Sequence, residues 1–401
     1  MYMSRFSVKN YKCLADVDIP LTPIHVLIGE NDAGKSSALE AIAALYASSK
    51  SPLGTAFPQP WHGRELVFHA SQGTTIELSA EWRDGRQREA EGGTAGLQYG
   101  LSVEFPVEGR DCRSKAEWVE LGGQRRDIGP PGQQDSALTR RAARAGQWDP
   151  QVANRLDEIL KVIKPAHVYS LNAKLMAVPA APDLQRKFRL DPDGFGLATL
   201  LQDIVTYDPK LFIQLREEFC TFFPQFASVR TETENASVRH FQPSGIHSSS
   251  ASVGVGIYFE TRSGQTVRAQ QASDGAILFL GFLALAHLPD PPTLLLIEEP
   301  ENGIYPKRLG EVIQMLKQMV NRTEGVRFPQ IIMTTHSPYV LSFFEPEEVT
   351  FLSRDPKKPA AGVRARPLRD APNIRERLGG GAFYLGELWY NLSEEELFGE
   401  P

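Results

Sequence analysis

Three apolar runs stand out along the chain, and each ends abruptly in polar residues. They are Pro23–Ile28, Thr293–Ile297 and the run that starts at Gln330 and ends before His336. Short continuous apolar runs are typical of strands that are buried on both faces of a parallel sheet. The Ala- and Leu-rich segment Ser36–Tyr46 and the apolar segment Ile277–His287 predict helices. Buried strands that alternate with helices predict an α/β fold.

The remaining segments predict a mixture of elements. Residues 1–100 predict a β-rich lobe, in which Thr74–Trp82 alternates between polar and apolar positions as a half-exposed strand does. Elsewhere we expect helices at Gln151–Lys164, Gly194–Phe223 and Phe383–Leu392, strands at Ala166–Leu171, Val349–Ser353 and Val363–Leu368, and loops at Arg110–Gln134 and Ser244–Ser252.

The first apolar run leads directly into a glycine-rich turn that contains Gly-Lys-Ser. A strand, such a turn and a helix together make a phosphate-binding loop. Gly29 and Gly34 let the backbone wrap around an anion, and the helix N-terminus adds its positive field. Lys35 is expected to reach the β- and γ-phosphates of a nucleoside triphosphate, and the Ser36 hydroxyl is expected to bind Mg²⁺. The predicted nucleotide contacts in the loop are Gly29, Asn31, Asp32, Ala33, Gly34, Lys35, Ser36 and Ser37.

The other two apolar runs also end in side chains that can do chemistry. Glu298 and Glu299 follow the second run and His336 follows the third, at the ends of strands where α/β sheets bind ligands. Glu298 could hold Mg²⁺ and Glu299 could orient an attacking water, although acidic pairs at strand ends are also common on surfaces. His336 could contact a γ-phosphate or could be a packed histidine. Ser273, two residues before Gly275, could open a phosphate-binding helix or simply cap that helix.

Composition restricts the classes of protein to which the chain can belong. Its 401 residues are 41% hydrophobic and 23% charged, which is typical of a soluble enzyme with a large core. The formal net charge is −6, so no overall basic excess points to nucleic acid. No apolar run approaches the roughly 18 residues of a membrane span. Cys13, Cys112 and Cys220 form no C-x-x-C pair, and we interpret them as reduced thiols, which favours a cytoplasmic protein without membrane association.

The order of these motifs resembles the ABC-type ATPase heads of the SMC, RecF and OLD (overcoming lysogenisation defect) families. Their phosphate loop commonly has Asn and a second Ser at the positions of Asn31 and Ser37, and Phe6–Cys13 resembles their first-strand motif. The resemblance implies that Lys12 approaches the nucleotide. It also implies that Ser273-Asp274-Gly275 is the signature segment, in a form similar to that of the OLD proteins.

The same resemblance assigns roles to the acidic residues and to the histidine. It implies that Glu298 is the Mg²⁺-associated acid, Glu299 the catalytic glutamate, Glu301–Gly303 the D-loop and His336 the switch histidine. In these families two heads enclose two ATP molecules, so the signature segment of one subunit would complete the site of the other. We therefore expect ATP and Mg²⁺ as cofactors and a homodimer, or a higher oligomer, as the assembly.

The resemblance also implies a fold: an α/β P-loop NTPase of the ABC-ATPase type, with a mixed central sheet, a β-rich N-terminal lobe and a helical insertion. We expect the lobe with the phosphate loop at residues 1–100, the insertion at 101–250 and a second ATPase lobe at 251–401. Residues 100–260 hold no sustained heptad repeat of the SMC kind. Only 65 residues follow His336, too few for the TOPRIM nuclease domain of OLD nucleases. A stand-alone ATPase module is therefore expected.

Two functions are compatible with this resemblance. The first is a regulatory ATPase of a prokaryotic anti-phage defence system, which controls a separate effector protein. The alternative is a DNA repair clamp of the RecF kind, which binds DNA directly. The basic clusters Arg140, Arg141, Arg144 and Arg186, Lys187, Arg189 could contact nucleic acid, or could be solvated helix faces. The absence of a coiled coil and the Ser-Asp-Gly signature favour the first function.

Overall fold

The computed structural model describes the chain except for residues 85–95, 183–186, 243–244, 303, 305, 322–329, 356–357, 373, 375–377, 379–383, 392–393 and 399–401. The chain forms two compact units that interleave along the sequence. The first unit comprises Met1–Val168, Pro292–Glu299 and Pro329–Pro401, and the second comprises Tyr169–Pro291 and Pro300–Phe328. Of the three segments expected from the sequence, 1–100 lies within the first unit, whereas 101–250 and 251–401 each contribute to both units.

Both units contain strands and helices. The strands are β1 (Tyr2–Tyr11), β2 (Leu14–Pro20), β3 (Ile24–Ile28), β4 (Thr75–Arg83), β5 (Leu97–Glu104), β6 (Arg113–Leu121), β7 (Gln124–Asp127), β8 (Val168–Tyr169), β9 (Phe226–Gln242), β10 (Gly245–Thr261), β11 (Thr266–Arg268), β12 (Leu294–Glu298), β13 (Gln330–Thr335), β14 (Val349–Arg354) and β15 (Val363–Pro367).

The α-helices are α1 (Lys35–Ala47), α2 (Leu53–Ala56), α3 (Ala137–Ala142), α4 (Pro150–Val162), α5 (Ala173–Met176), α6 (Leu197–Tyr207), α7 (Pro209–Phe222), α8 (Asp274–Ala286), α9 (Pro306–Asn321), α10 (Pro338–Leu341), α11 (Leu385–Asn391) and α12 (Glu394–Phe398). None of the helices in the described part of the chain has both the length and the apolar character that crossing a membrane requires.

The site is built on a mixed sheet with the strand order β15-β14-β3-β13-β12-β8. β14, β3, β13 and β12 run parallel, and β15 pairs antiparallel with β14. Every residue of β3 and β13 is buried, because both faces of these central strands are covered. The three apolar runs are therefore strands of one sheet, and the prediction of an α/β P-loop fold with a mixed central sheet is confirmed.

A six-stranded antiparallel sheet, in the order β2-β1-β4-β5-β6-β7, forms the β-rich lobe. The predicted loop at Arg110–Gln134 is wrong, because β6 and β7 occupy most of it. Its strand pattern is hidden by a buried acid, Glu117, which accepts hydrogen bonds from the Tyr99 hydroxyl (2.8 Å) and the Ala137 N–H (2.6 Å). Burial raises the pKa of Glu117. A polar side chain can occupy a core position when it is bonded in this way.

Gln330 connects the two sheets of the first unit. Its side-chain amide donates to the carbonyls of Met3 (2.8 Å) and Thr22 (2.9 Å) and accepts from the Met3 N–H (2.9 Å). The residue is only 4% exposed, so these bonds are made away from water. Gln330 begins β13 and Met3 lies in β1, so the amide fixes the start of a central strand against the antiparallel sheet.

The second unit has its own apolar core of phenylalanine rings. Their centroids are 4.6 to 6.3 Å apart, and they come from α7, β9, β10 and α8: Phe219, Phe222, Phe223, Phe226, Phe259 and Phe279. The predicted loop at Ser244–Ser252 is wrong where the structure describes it, because Gly245–Thr261 is a strand paired with β9. Backbone hydrogen bonds hold this strand, and they do not require apolar side chains.

Gln330→Leu should destabilise the first unit. The substitution keeps the volume but leaves the Met3 N–H and two carbonyls without their buried partner, which should lower the free energy of unfolding by about 2–4 kcal/mol. Urea unfolding measures this change. Gln151→Leu, on the exposed first turn of α4, is the control and should shift the free energy by less than about 0.5 kcal/mol. Equal effects of the two substitutions would contradict the bridging role of Gln330.

Candidate functional site

The phosphate loop between β3 and α1 has a backbone that only glycine can adopt at two positions. The φ angles of Gly29 and Gly34 are +152° and +89°. A Cβ atom on Gly29 would lie 2.2 Å from the Leu352 carbonyl oxygen, and one on Gly34 would lie 2.9 Å from Cγ2 of Val363. The strands β14 and β15 thus press against the loop from behind, and both glycines fix its shape. Asn31 and Asp32 lie exposed at the tip of the loop.

Lys35 is folded back onto the loop that it follows. It is 7% exposed, and its ammonium group donates to the carbonyl oxygens of Gly29 (2.8 Å) and Glu30 (2.9 Å). α1 begins at Lys35, and no side chain caps it at Gly34. The first-turn N–H groups of a helix have no intrahelical acceptors, so this end of α1 suits an anion. A bound phosphate would find both a cation and backbone donors here.

Ser36 and Glu298 bring two oxygen ligands together. The Ser36 hydroxyl, at the start of α1, donates a hydrogen bond to the Glu298 carboxylate at the end of β12. Oxygen ligands of this kind, together with phosphate oxygens, are what Mg²⁺ prefers. The described residues contain no cluster of three or more His, Cys, Asp or Glu side chains that could hold a metal by themselves. The donor set therefore fits Mg²⁺ that is bound jointly by protein and nucleotide.

Glu299 and His336 form a pair at the same edge of the sheet. Oε1 of Glu299 lies 3.1 Å from Nδ1 of His336, and their side chains are 26% and 50% exposed. The Glu299 N–H donates to the Thr334 carbonyl oxygen at 3.1 Å. Glu299 also has a positive φ of 46°, which is uncommon for a residue with a side chain. The carboxylate is thus partly accessible to water, and Glu299 is held by two contacts, one from Thr334 in β13 and one from His336 just after it.

Lys12 and Ser37 are held by neighbours on the flank of the loop. The Lys12 ammonium forms an ion pair with Glu40, which lies on α1 one turn beyond Ser36. The Tyr11 hydroxyl also donates to Glu40 (3.3 Å), and burial together with the Glu40 charge raises the pKa of Tyr11. Cys13 Sγ lies 3.6 Å from the Ser37 hydroxyl. Contact of Lys12 with a nucleotide stays a prediction.

The predicted signature segment lies in the second unit, at the start of α8. The Ser273 side chain accepts a hydrogen bond from the Ala276 N–H (3.4 Å), so the interpretation as a helix N-cap is confirmed. Ser273 and Asp274 are exposed, whereas Gly275 is buried in the first turn. A role in phosphate binding stays a prediction. In the predicted D-loop, the backbone carbonyl oxygen of Glu301 accepts a hydrogen bond from the Ile304 N–H (3.0 Å). Gly303 lies outside the described residues.

The basic cluster around α3 is largely occupied by ion pairs. Arg141 bonds to Asp157 at 2.6 Å, and Arg140 lies 3.7 Å from Glu117. These contacts favour a structural role over a nucleic-acid surface. In the second cluster, Arg189 lies 3.4 Å from Asp191, and Arg186 lies outside the described residues.

Two family models match this sequence, one over the phosphate loop and the other over the two carboxylates and His336. The model of a family described as "AAA ATPase domain" matches residues 1–83, and that of "AAA domain, putative AbiEii toxin, Type IV TA system" matches residues 186–342. The OLD nuclease of Thermus scotoductus (strain ATCC 700910 / SA-01) is 48% identical over 40 residues. That match spans 10% of this chain and 8% of the OLD nuclease.

Comparisons of structure match nearly the whole chain. A crystal structure of an SMC head bound to the C-winged helix domain of ScpA has a TM-score of 0.55 at 15% identity and covers 91% of this chain and 97% of that one. The second match is an SMC head with an extended coiled coil, bound to the C-terminal domain of ScpA derived from Pyrococcus furiosus. It has a TM-score of 0.52 at 13% identity and covers 94% of this chain and 99% of that one. Identities this low show the fold. The chain therefore has the fold of an SMC head, and two parts of it match families of AAA ATPase domains.

Two residues at this candidate site escaped the motif analysis. Glu40 is the partner of Lys12, and it could have been anticipated only from its position one helical turn after Ser36. Thr334 contacts the Glu299 backbone from a neighbouring strand. No sequence pattern marks such a contact, because it depends on how two strands 35 residues apart are aligned.

Lys35→Ala should abolish ATP binding at ordinary concentrations. The ammonium group would make charge-assisted hydrogen bonds to two phosphates, and losing them should weaken affinity by about two orders of magnitude. Isothermal titration calorimetry with ATP and Mg²⁺ measures the change. Lys50→Ala, an exposed lysine just beyond α1, is the control and should bind like the wild type. Wild-type affinity in Lys35→Ala would show that the loop is not the nucleotide site.

Proposed function

We propose that this protein is a nucleotide switch that binds ATP with Mg²⁺ and hydrolyses it to ADP and phosphate. One observation carries the proposal: a single edge of the mixed sheet holds the phosphate loop, the Ser36–Glu298 contact and the Glu299–His336 pair. These groups correspond to the three tasks of phosphoryl transfer, which are holding phosphate, holding the metal and placing water.

Each residue has a defined task in the proposed reaction. Lys35 exchanges its bonds to the loop carbonyls for bonds to the β- and γ-phosphates. Ser36 and Glu298 would hold Mg²⁺, and the metal would neutralise phosphate charge. Glu299 accepts a proton from water as that oxygen attacks the γ-phosphorus and the bond to the bridging oxygen of ADP breaks. His336 keeps the carboxylate of Glu299 in place through Nδ1.

We further propose that two copies close around two ATP molecules. The start of α8 supports this, since Ser273 and Asp274 are exposed and the first-turn N–H groups of the helix can face a partner's γ-phosphate. ATP would then act as a link between two subunits, and hydrolysis would release it. Association coupled to nucleotide state is a general form of molecular switch.

The proposed role of the switch is regulation of a separate effector in anti-phage defence. Two findings support this role: the match to a family described as a putative AbiEii toxin of a type IV TA system, and the short match to an OLD nuclease. A trapped ATP-bound form should hold its effector, so Glu299→Gln protein purified from its native cells should retain one protein that Lys35→Ala loses. Recovery of the same set of proteins with both variants would contradict control by the nucleotide.

A DNA-binding clamp is the second candidate, and the hairpin of β14 and β15 favours it. Residues 354–369 contain six basic residues and one acidic residue, in a chain with net charge −6. Lys358 and Arg364 are exposed, and neither has an ion pair with any residue that the structure describes. If these two side chains bind DNA phosphates, their replacement by Ala should make the slope of log K for duplex binding against log salt concentration shallower by about 0.9 per lost contact. Lys174→Ala with Lys210→Ala is the control; an unchanged slope in both double variants counts against this candidate.

Glu299→Gln should slow hydrolysis by about two to three orders of magnitude, the usual range for a lost general base. Affinity for ATP should stay within about twofold, because the amide keeps the size of the carboxylate and Lys35 is unaffected. Single-turnover hydrolysis and equilibrium binding separate the two effects. Wild-type turnover in Glu299→Gln would assign the base to another group, with His336 the next to test.

Ser273→Asp should prevent ATP-dependent association while leaving the fold intact. Asp caps a helix as well as Ser does, so α8 is kept, but its charge opposes a partner's polyphosphate. Ser273→Asn is the matched control, because it also caps the helix and is neutral. Both variants are combined with Glu299→Gln and sedimented with ATP. The Ser273→Asn protein should be a dimer and the Ser273→Asp protein a monomer. Equal masses for the two proteins would mean that Ser273 only caps the helix.

A further inference from the structure

The backbone between the two site carboxylates makes an abrupt turn. Glu298 is the last residue of β12, whereas Glu299 has a φ of +46°, in the left-handed region that side chains disfavour. The chain therefore leaves the strand between one carboxylate and the next, and the Glu299 backbone must be held there by its neighbours. Such backbone strain is often found at functional sites and persists only where the surroundings impose it.

Thr334 supplies that restraint from β13. Its carbonyl oxygen accepts the Glu299 N–H at 3.1 Å, and its hydroxyl oxygen lies 3.3 Å from the same nitrogen. Any residue at position 334 would offer the carbonyl, but only Thr or Ser would offer the hydroxyl. Thr334 is 1% exposed, so water does not compete for this contact.

The side chain of Glu299 is restrained by His336, which directly follows the last residue of β13. His336 lies two residues after Thr334, and its Nδ1 is 3.1 Å from the Glu299 carboxylate. The turn that carries His336 is itself fixed, because the Thr335 hydroxyl accepts the Ser337 N–H at 3.0 Å. Glu299 is thus held at its backbone by one end of a short segment and at its carboxylate by the other.

We propose that Thr334 is a positioning residue for ATP hydrolysis, and that its hydroxyl holds the Glu299 backbone in the left-handed conformation that aims the carboxylate at water. The inference rests on the proposed role of Glu299 as the general base. Thr334 is not part of the phosphate loop, so its hydroxyl acts on the chemical step and not on nucleotide binding. Small displacements of a catalytic group have large effects on rate, because the geometry of attack is narrow.

The test compares Thr334→Val, which keeps the shape and removes the hydroxyl, with Thr334→Ser, which keeps the hydroxyl. Thr350→Val is the matched control. Thr334 and Thr350 pair with the same residue, Leu27, from opposite sides of β3, and both are fully buried. The Thr350 hydroxyl contacts His25 (2.9 Å), away from Glu299. Both variants therefore lose a buried hydroxyl next to β3, and only Thr334→Val loses one that contacts Glu299.

Thr334→Val should lower kcat about 10- to 100-fold, with the Kd for ATP within about twofold of the wild type. Thr334→Ser and Thr350→Val should stay within about threefold in kcat. Combined with Glu299→Gln, Thr334→Val should cause no further loss, because both changes act on one group.

Three outcomes would overturn the inference. If the wild type hydrolyses ATP and Thr334→Val has the same kcat, the positioning role is excluded and the proposed ATPase function is not affected. A full additional loss in the Glu299→Gln background would show general damage to the site. A wild-type protein that binds ATP and hydrolyses none would reject the proposed function, and this inference with it.

Discussion

The proposed nucleotide site depends on the parallel register of three strands. Thr334 of β13 lies opposite Leu27 of β3 on one side and Glu298 of β12 on the other. Because the strands are in step, they end at one edge, and the phosphate loop, the two carboxylates and His336 emerge there together. A slip of β12 by one residue would turn Glu298 to the opposite face of the sheet and separate it from Ser36. The buried amide of Gln330 fixes the start of the middle strand and so helps to set this register.

Two side chains of the proposed site are bonded to other groups of the protein. Lys35 is bonded to two loop carbonyls, and the Ser36 hydroxyl is bonded to Glu298. ATP binding would therefore exchange one set of hydrogen bonds for another, so affinity comes from the difference between them. The proposed metal ligands would need little rearrangement, because the Ser36 hydroxyl and the Glu298 carboxylate are already in contact.

The parts of the site that a local pattern encodes could be predicted from the sequence, and the rest could not. Gly29–Ser37 and the three apolar runs are each continuous in sequence, so the loop and its strands were found. The left-handed backbone of Glu299 and its contact with Thr334 depend on the alignment of separate strands. β6 and the first half of β10 were interpreted as loops because polar side chains such as that of Glu117 disguise their pairing. Whether Ser273 and Gly275 meet a nucleotide is a property of an assembly, which one chain does not encode locally.

The most direct test of this account is an experimental structure of Glu299→Gln protein with ATP and Mg²⁺. We predict that the Lys35 ammonium leaves the carbonyls of Gly29 and Glu30 and bonds to the β- and γ-phosphates. Ser36 and Glu298 should then lie on Mg²⁺, and the amide at position 299 should face the γ-phosphate beside His336. Nucleotide bound elsewhere, or bound while Lys35 keeps its contacts with the loop carbonyls, would contradict the assignment of this edge of the sheet as the site of ATP hydrolysis.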